Sequence, residues 1–286
     1  MDMLINWFAE PLSYPFMQMA LFTAIIVAIV CAILSCYLVL KGWSLMGDAI
    51  SHAVLPGIVV AYISGLPLMF GAFLSGLFCS LAIGYLKENS RIKEDTVMGI
   101  VFSGMFAFGL VLFVKVESDQ HLTHVLFGNL LGVGFNDFLQ IMIISIMIFM
   151  IMLLKRRDFL LFCFDPSHAR VVGLSPRVLH YGLLILLALT IVAAMQVVGV
   201  ILVVAMLISP GITAFMLTKK FDTMIAIAML SSVLSSFLGT LISFHLNADI
   251  GPCIILLQAV IFVLALLYSK FKIQQIQPLK KLKSAV

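Results

Sequence analysis

Asp48 and His52 stand four residues apart in the stretch Ser44–Gly57, SLMGDAISHAVLPG, within a chain that is otherwise strongly apolar. On a helix that spacing stacks two side chains on one face, their β-carbons roughly 6 Å apart, so a carboxylate and an imidazole can address one object. A hard anionic oxygen beside a borderline nitrogen suits a divalent transition metal, and it does not choose among Mn²⁺, Fe²⁺ and Zn²⁺. A metal needs the imidazole neutral, so acid should oppose binding. Pro56 adds to the local chemistry. It has no N–H, and in a continuous helix it would leave the carbonyl of His52 bare beside the pair. A plainer reading makes Asp48 the N-cap of a helix and His52 a packed, hydrogen-bonded interior residue. The apolar surroundings favour function, because an ionisable group in a membrane span costs roughly 2.5 kcal/mol or more and tends to line a pathway.

The elements that must hold this pair follow from composition. Of 286 residues, 63% are hydrophobic and 10% charged, against an apolar share of ~45–50% in soluble domains. The chain reads as an all-α, polytopic helical bundle forming one transmembrane domain over residues 1–286. The net charge of +4 is spread over short connections rather than gathered in a patch, which excludes a nucleic-acid-binding reading. Five cysteines, none in a C-x-x-C pair, indicate neither a disulfide framework nor a zinc knuckle. The aromatic, proline-containing opening suits a segment lying at the membrane interface.

Apolar runs then predict spans near 16–40, 44–64, 67–86, 96–114, 137–154, 180–198, 199–217, 223–244 and 253–268, followed by a basic tail over 270–286. Nine spans is the expectation, and eight the alternative if one short span is re-entrant. Residues 120–136 are too short and polar for a plain span and predict a short surface or re-entrant helix, with His121 and His124 at the membrane face. The run from His180 to Leu217 is too long for one helix, and Pro210 with Gly211 is the expected interruption. In this run Gly199, Pro210 and Gly211 are candidate hinge or close-approach positions, a plain helix hairpin being the alternative, and Pro56 on the second span is a further candidate. His245 and Asp249 fall in an outer connection, where a turn is the plainer role.

Orientation comes from the basic residues. With the N-terminus outside, 16 of the 17 Lys and Arg fall in inside connections and the tail, and only Lys115 lies outside. That bias is what the positive-inside rule expects, and it puts the C-terminus in the cytoplasm.

No G-x-x-x-x-G-K-[ST] loop, H-E-x-x-H or G-x-S-x-G elbow is present, so the chain carries no ATPase, zinc-protease or hydrolase signature. Energy must come from a partner subunit or an ion gradient. The inside interval 164–177, FDPSHARVVGLSPR, predicts a short helix capped by Asp165, with Pro166 at its first position and Gly173 at its end. Such a helix offers a docking surface, and a solvated loop is the alternative.

Three stretches, GDAISHAVLPG (47–57), DPSHARVVGL (165–174) and VVGVILVVAMLISPGITA (197–214), with ADIGPCIILL (248–257) as a weaker fourth, resemble the permease subunits of bacterial ABC importers for manganese, iron and zinc. The likeness leans toward the chelated-iron and manganese permeases of Gram-negative bacteria, and the last three stretches also look like the cobalamin importer permease. The resemblance implies a type II ABC importer permease fold in the inner membrane. It implies that Asp165, Ala169, Arg170 and Gly173 belong to a coupling helix seated in a cleft of a separate ATPase subunit. It also implies that Asp48 and His52 form the metal-pathway pair of a homodimer, served by two ATPase copies below and a periplasmic or lipid-anchored metal-binding protein above. No cofactor is implied, only the transported ion. The rival from another class is a proton- or ion-coupled secondary carrier, in which the same pair would relay protons. An intramembrane enzyme lacks a recognisable nucleophile and base.

Overall fold

Long apolar runs in a bilayer leave the backbone no partner but itself, which selects helices. The computed structural model describes residue 7 and residues 9–115 and 130–283; these include twelve α-helices and a 3-10 turn at Leu130–Gly132, and no strand. In chain order the helices are α1 (Pro15–Lys41), α2 (Met46–Ala53), α3 (Leu55–Ile63), α4 (Leu68–Asn89), α5 (Glu94–Lys115) and α6 (Phe135–Leu154). The second half holds α7 (Arg156–Phe164), α8 (Pro166–Val171), α9 (Pro176–Val198), α10 (Val200–Leu217), α11 (Phe221–Leu246) and α12 (Ile250–Lys283). Among the described residues, nine helical stretches are long and apolar enough to cross a membrane, α2 and α3 together counting as one.

The helices gather in two groups. The first is α2 to α5; the second is α1 with α10, α11 and α12; α9 joins them, packing on α4, α2, α6 and α10. At the centre of the second group, α1 buries Ala20, Ala24, Ala28, Cys31, Leu34 and Ser35 completely. Small side chains let neighbouring backbones come close, which is how helices gain contact where lipid is as apolar as they are. At its closest approach to α10, a β-carbon on Gly211 would lie 2.6 Å from the carbonyl oxygen of Ser35. In the first group Gly57 of α3 and Gly71 of α4 meet face to face, and a β-carbon on either would collide with the other's carbonyl.

Several expectations change. The interruption between the sixth and seventh spans is at Gly199, whose φ of +82° and ψ of 158° end α9 and start α10. Pro210 and Gly211 lie inside an unbroken α10. The hydroxyl of Ser35 braces the turn after the proline: it accepts the Gly211 N–H at 2.9 Å and donates to the Ile208 carbonyl at 3.3 Å. The polar interval after α6 contains a further helix, α7, which buries Phe159, Phe162 and Cys163. The basic tail is no separate segment, because α12 continues without a break to Lys283. His121 and His124 lie outside the described residues, and of the surface helix expected over 120–136 only the Leu130–Gly132 turn and the start of α6 are described.

Candidate functional site

The helix that carries the pair is short because two local features bound it. Leu45 precedes it without any side-chain cap, and at Val54 the chain turns so that Pro56 begins α3 in its first turn, where a missing N–H does least harm. Six of the eight residues of α2 (Met46, Gly47, Ala49, Ile50, Ser51 and Ala53) are buried. The two left over are Asp48 and His52, and they form the open stripe of the helix. Asp48 Oδ1 lies 3.3 Å from His52 Nε2, and both side chains are 39% exposed. Asp48 is in the first turn and His52 in the last, each at the end of the helix whose partial charge favours it.

Neighbouring helices fix the depth of the pair. A β-carbon on Gly47 would sit 3.2 Å from Leu207, the eighth of the eighteen residues of α10. One on Gly76, ninth of twenty-two in α4, would sit 3.2 Å from Ile50. The pair therefore lies about midway along its neighbours, where an ionised group is most costly. On its open side the His52 ring meets Phe106 of α5 edge-on at 5.3 Å and Phe102 at 6.2 Å between centroids. Among the described residues no third His, Cys, Asp or Glu joins them. One chain thus presents one carboxylate and one imidazole, an incomplete set that can greet an ion without caging it.

Two readings of the sequence are corrected here. Asp48 lies inside the helix rather than at its N-cap, so capping does not account for it. The His52 carbonyl is not bare, because a backbone N–H at the end of α2 reaches it. Pro56 instead presses its ring on the bare backbone of Gly109 in α5, where a β-carbon would come within 2.8 Å of Pro56 Cδ. The Ser75 hydroxyl of α4 donates to the Ala53 carbonyl at 2.7 Å, tying α4 to the junction of α2 and α3. Phe102, Phe106, Gly109 and Ser75 carry no sequence signal that would have pointed to them.

At one end of the bundle, α8 has the capped form that its sequence foretold. Asp165 Oδ1 accepts the N–H groups of Ser167 at 2.9 Å and His168 at 3.0 Å. At the other end Gly173, with φ +89°, donates its N–H to the Arg170 carbonyl at 3.1 Å, and Leu174 donates to Ala169 at 3.0 Å. This paired closure needs the left-handed backbone that glycine adopts freely. Ala169 is fully buried against the bundle, while Arg170 points out and Val171 is 83% exposed beside exposed Val172 and Phe164. A short helix with its backbone satisfied and several apolar side chains left open, outside the spans, is a preformed contact surface. His245, by contrast, is spoken for: its ring stacks on Trp7 at 4.5 Å and its Nε2 lies 3.0 Å from the Trp7 carbonyl.

The family model described as the ABC 3 transport family matches residues 13–269. The chain belongs to that family. It is 68% identical over 271 residues to a probable iron transport system membrane protein of Haemophilus influenzae, covering 95% of this chain and 100% of that one. It is 63% identical over 272 residues to the chelated iron transport system membrane protein YfeD of Yersinia pestis, covering 95% and 92%. Among solved structures it resembles PsaBC from Streptococcus pneumoniae in complex with Fab, with a TM-score of 0.81, 38% identity and coverage of 92% and 95%. As a member of the ABC 3 transport family, the chain is an all-α, multi-pass membrane protein of the ABC permease type.

Proposed function

We propose that this chain is the membrane-spanning subunit of an ATP-driven importer that carries divalent metal, Mn²⁺ or Fe²⁺ first and Zn²⁺ by the same ligand chemistry, into the cytoplasm. The observation that carries the reading is the open stripe of α2: its only unburied residues are a carboxylate and an imidazole 3.3 Å apart at mid-membrane depth. Facing lipid, such a stripe would be costly. A second copy related by a two-fold axis covers it, and the two chains together offer two carboxylates and two imidazoles around a path. Conduction asks for that kind of site, favourable enough to enter and weak enough to leave.

Energy comes from a separate pair of ATPase subunits seated on α8, with Asp165 and Gly173 holding its shape and Arg170 and Val171 facing the partner. A periplasmic or lipid-anchored binding protein delivers the ion from outside. The basic residues of the connections support an inner-membrane protein with α8 and the C-terminal end of α12 on the cytoplasmic side. The test is uptake of labelled Mn²⁺ into liposomes holding permease, ATPase and binding protein. Uptake that requires the ATPase and persists with an uncoupler supports the reading. Uptake that survives without the ATPase and collapses with the uncoupler assigns the chain to the secondary carriers.

A further inference from the structure

Where α6 ends and α11 begins, four helices leave a cavity of about 270 Å³. Its walls are apolar, with Ile33 of α1, Met152 and Leu153 of α6 and Ile225 and Ala226 of α11 among them. Leu153 and Ala226 are exposed on the outer faces of their spans, so the cavity opens sideways, toward the surface that lipid covers. Its rim is charged. Arg156, which opens α7, is ion-paired with Asp222, in the first turn of α11, and its guanidinium lies 6.0 Å from the centre of the Phe221 ring. The Tyr37 hydroxyl donates to the Arg156 carbonyl at 3.4 Å, which fixes the backbone from which that side chain reaches the rim.

The sequence on either side of the cavity is basic. Lys155, Arg156 and Arg157 follow α6, and Lys219 and Lys220 precede α11, against the two carboxylates Asp158 and Asp222. Asp158 is taken up by Lys155 at 3.1 Å, whereas Arg157, Lys219 and Lys220 make no ion pair with any described residue. Among the described residues Arg156 is the one cation in the cavity lining, and the other basic residues adjoin its rim residues in sequence. An apolar slot with this local surplus of positive charge matches one molecule in two parts: an acyl chain in the slot and a phosphate on the rim. Basic pockets between spans are a recurrent way of holding anionic headgroups. A soluble anion has no use for the apolar walls, and a zwitterionic lipid has no use for the surplus charge.

We infer that the cleft between α6 and α11 is a binding site for one anionic phospholipid per chain, with the phosphate held by Arg156 and its basic neighbours and an acyl chain in the cavity. Asp222 competes with that phosphate for Arg156. The site rests on the membrane-spanning fold alone and is independent of the metal, so its test reads lipid and not transport.

The full chain, purified in mild detergent, is exposed to phosphatidylglycerol or phosphatidylcholine and bound lipid is counted by native mass spectrometry. One phosphatidylglycerol should be retained per chain, at least tenfold in preference to phosphatidylcholine. Arg156→Gln should lower its retention about tenfold, and Asp222→Asn should raise it. Ala226→Phe fills the slot while leaving every charge in place, and its substituted side chain faces outward, so it tests the site even if Arg156→Gln fails to fold. Loss of retention in Ala226→Phe confirms a built site. Wild-type retention in Ala226→Phe, or equal binding of the two lipids, reduces the cleft to general attraction between cations and the bilayer surface and overturns the inference.

Discussion

Two polar sites lie among the spans, and they are built on opposite terms. Asp48 and His52 are ionisable and paired with each other, and each is left 39% exposed on a helix whose other six residues are buried. Gln258 of α12 is neutral and 4% exposed, and neither atom of its amide finds a partner among the described residues; the same holds for the hydroxyls of Ser232 and Ser236 on α11. The void beside Gln258, edged by Ser209, Pro210 and Thr213, has no room for a water molecule. The contrast follows from charge. An ion cannot be sealed in an apolar interior without a partner of opposite sign and further hydrogen bonds, so a site for passing ions must stay open. A neutral amide can be sealed, at a cost of about 1–3 kcal/mol for each unmet group. The first site limits its cost by pairing and partial exposure, while the second lowers the stability of this conformation.

Four substitutions or labels separate these terms. The largest effect belongs to His52→Ala, which should cut Mn²⁺ uptake by at least ~100-fold, the upper range for losing a group that merely supports a metal ligand. Its thermal unfolding midpoint should stay close to the wild type, because a half-buried ring set against Phe102 and Phe106 contributes modest packing; a large fall in that midpoint would make His52 structural. On the sealed side, Gly211→Val drives a side chain into Ser35 and should destabilise by about 3 kcal/mol, read as loss of folded protein in detergent; a wild-type yield would show that α1 and α10 can separate freely. Gln258→Met removes the unmet amide at similar volume and should stabilise by about 1 kcal/mol, or ~2–4 °C in Tm. If Gln258→Met lowers Tm, the amide has partners and the seam is an ordinary hydrogen-bonded network. The smallest effect concerns Cys163, beyond the spans on α7. Burial pushes its thiol up to about 11, with nearby Lys41 pulling the other way. At pH 8 only about a thousandth of it is thiolate, so maleimide labelling should stay slow until the protein unfolds. Rapid labelling would place Cys163 at the surface.

The spans were legible because apolar runs of about twenty residues have one solution in a bilayer, and the helix ends fell within a few residues of the hydropathy limits except at α12, which runs on to Lys283 well past its expected end near 268. The pair was legible because four-residue spacing is a statement about one helix face, and α8 because Asp-Pro at its start and Gly173 at its end are local signals. What escaped was set by residues far away in sequence. Pro210 marks a break by local rules, yet α10 runs on through it beside Ser35 of the first span, and the chain breaks only at Gly199, where the two expected spans already met. The aromatic side chains against His52 come from α5, and the ion pair of Arg156 with Asp222 joins helices that hydropathy alone treats as unrelated. The helix α7 was hidden because its apolar run, Phe159 to Phe164, is short and lies between Arg156, Arg157 and Asp158 on one side and Asp165 on the other, which read as a loop.

Asp48→Asn separates a metal ligand from a structural residue, since it keeps the size, the polarity and the fit to the first turn of α2 while removing the anionic oxygen. In liposomes holding permease, ATPase and binding protein, the complex with Asp48→Asn should assemble and its ATPase subunits should hydrolyse ATP as with the wild type, while Mn²⁺ uptake falls to no more than a few per cent of the wild-type rate, roughly the loss expected when a metal ligand's charge is removed. Uptake at the wild-type rate would contradict that ligand role, and would leave the open stripe of α2 without a role in moving metal.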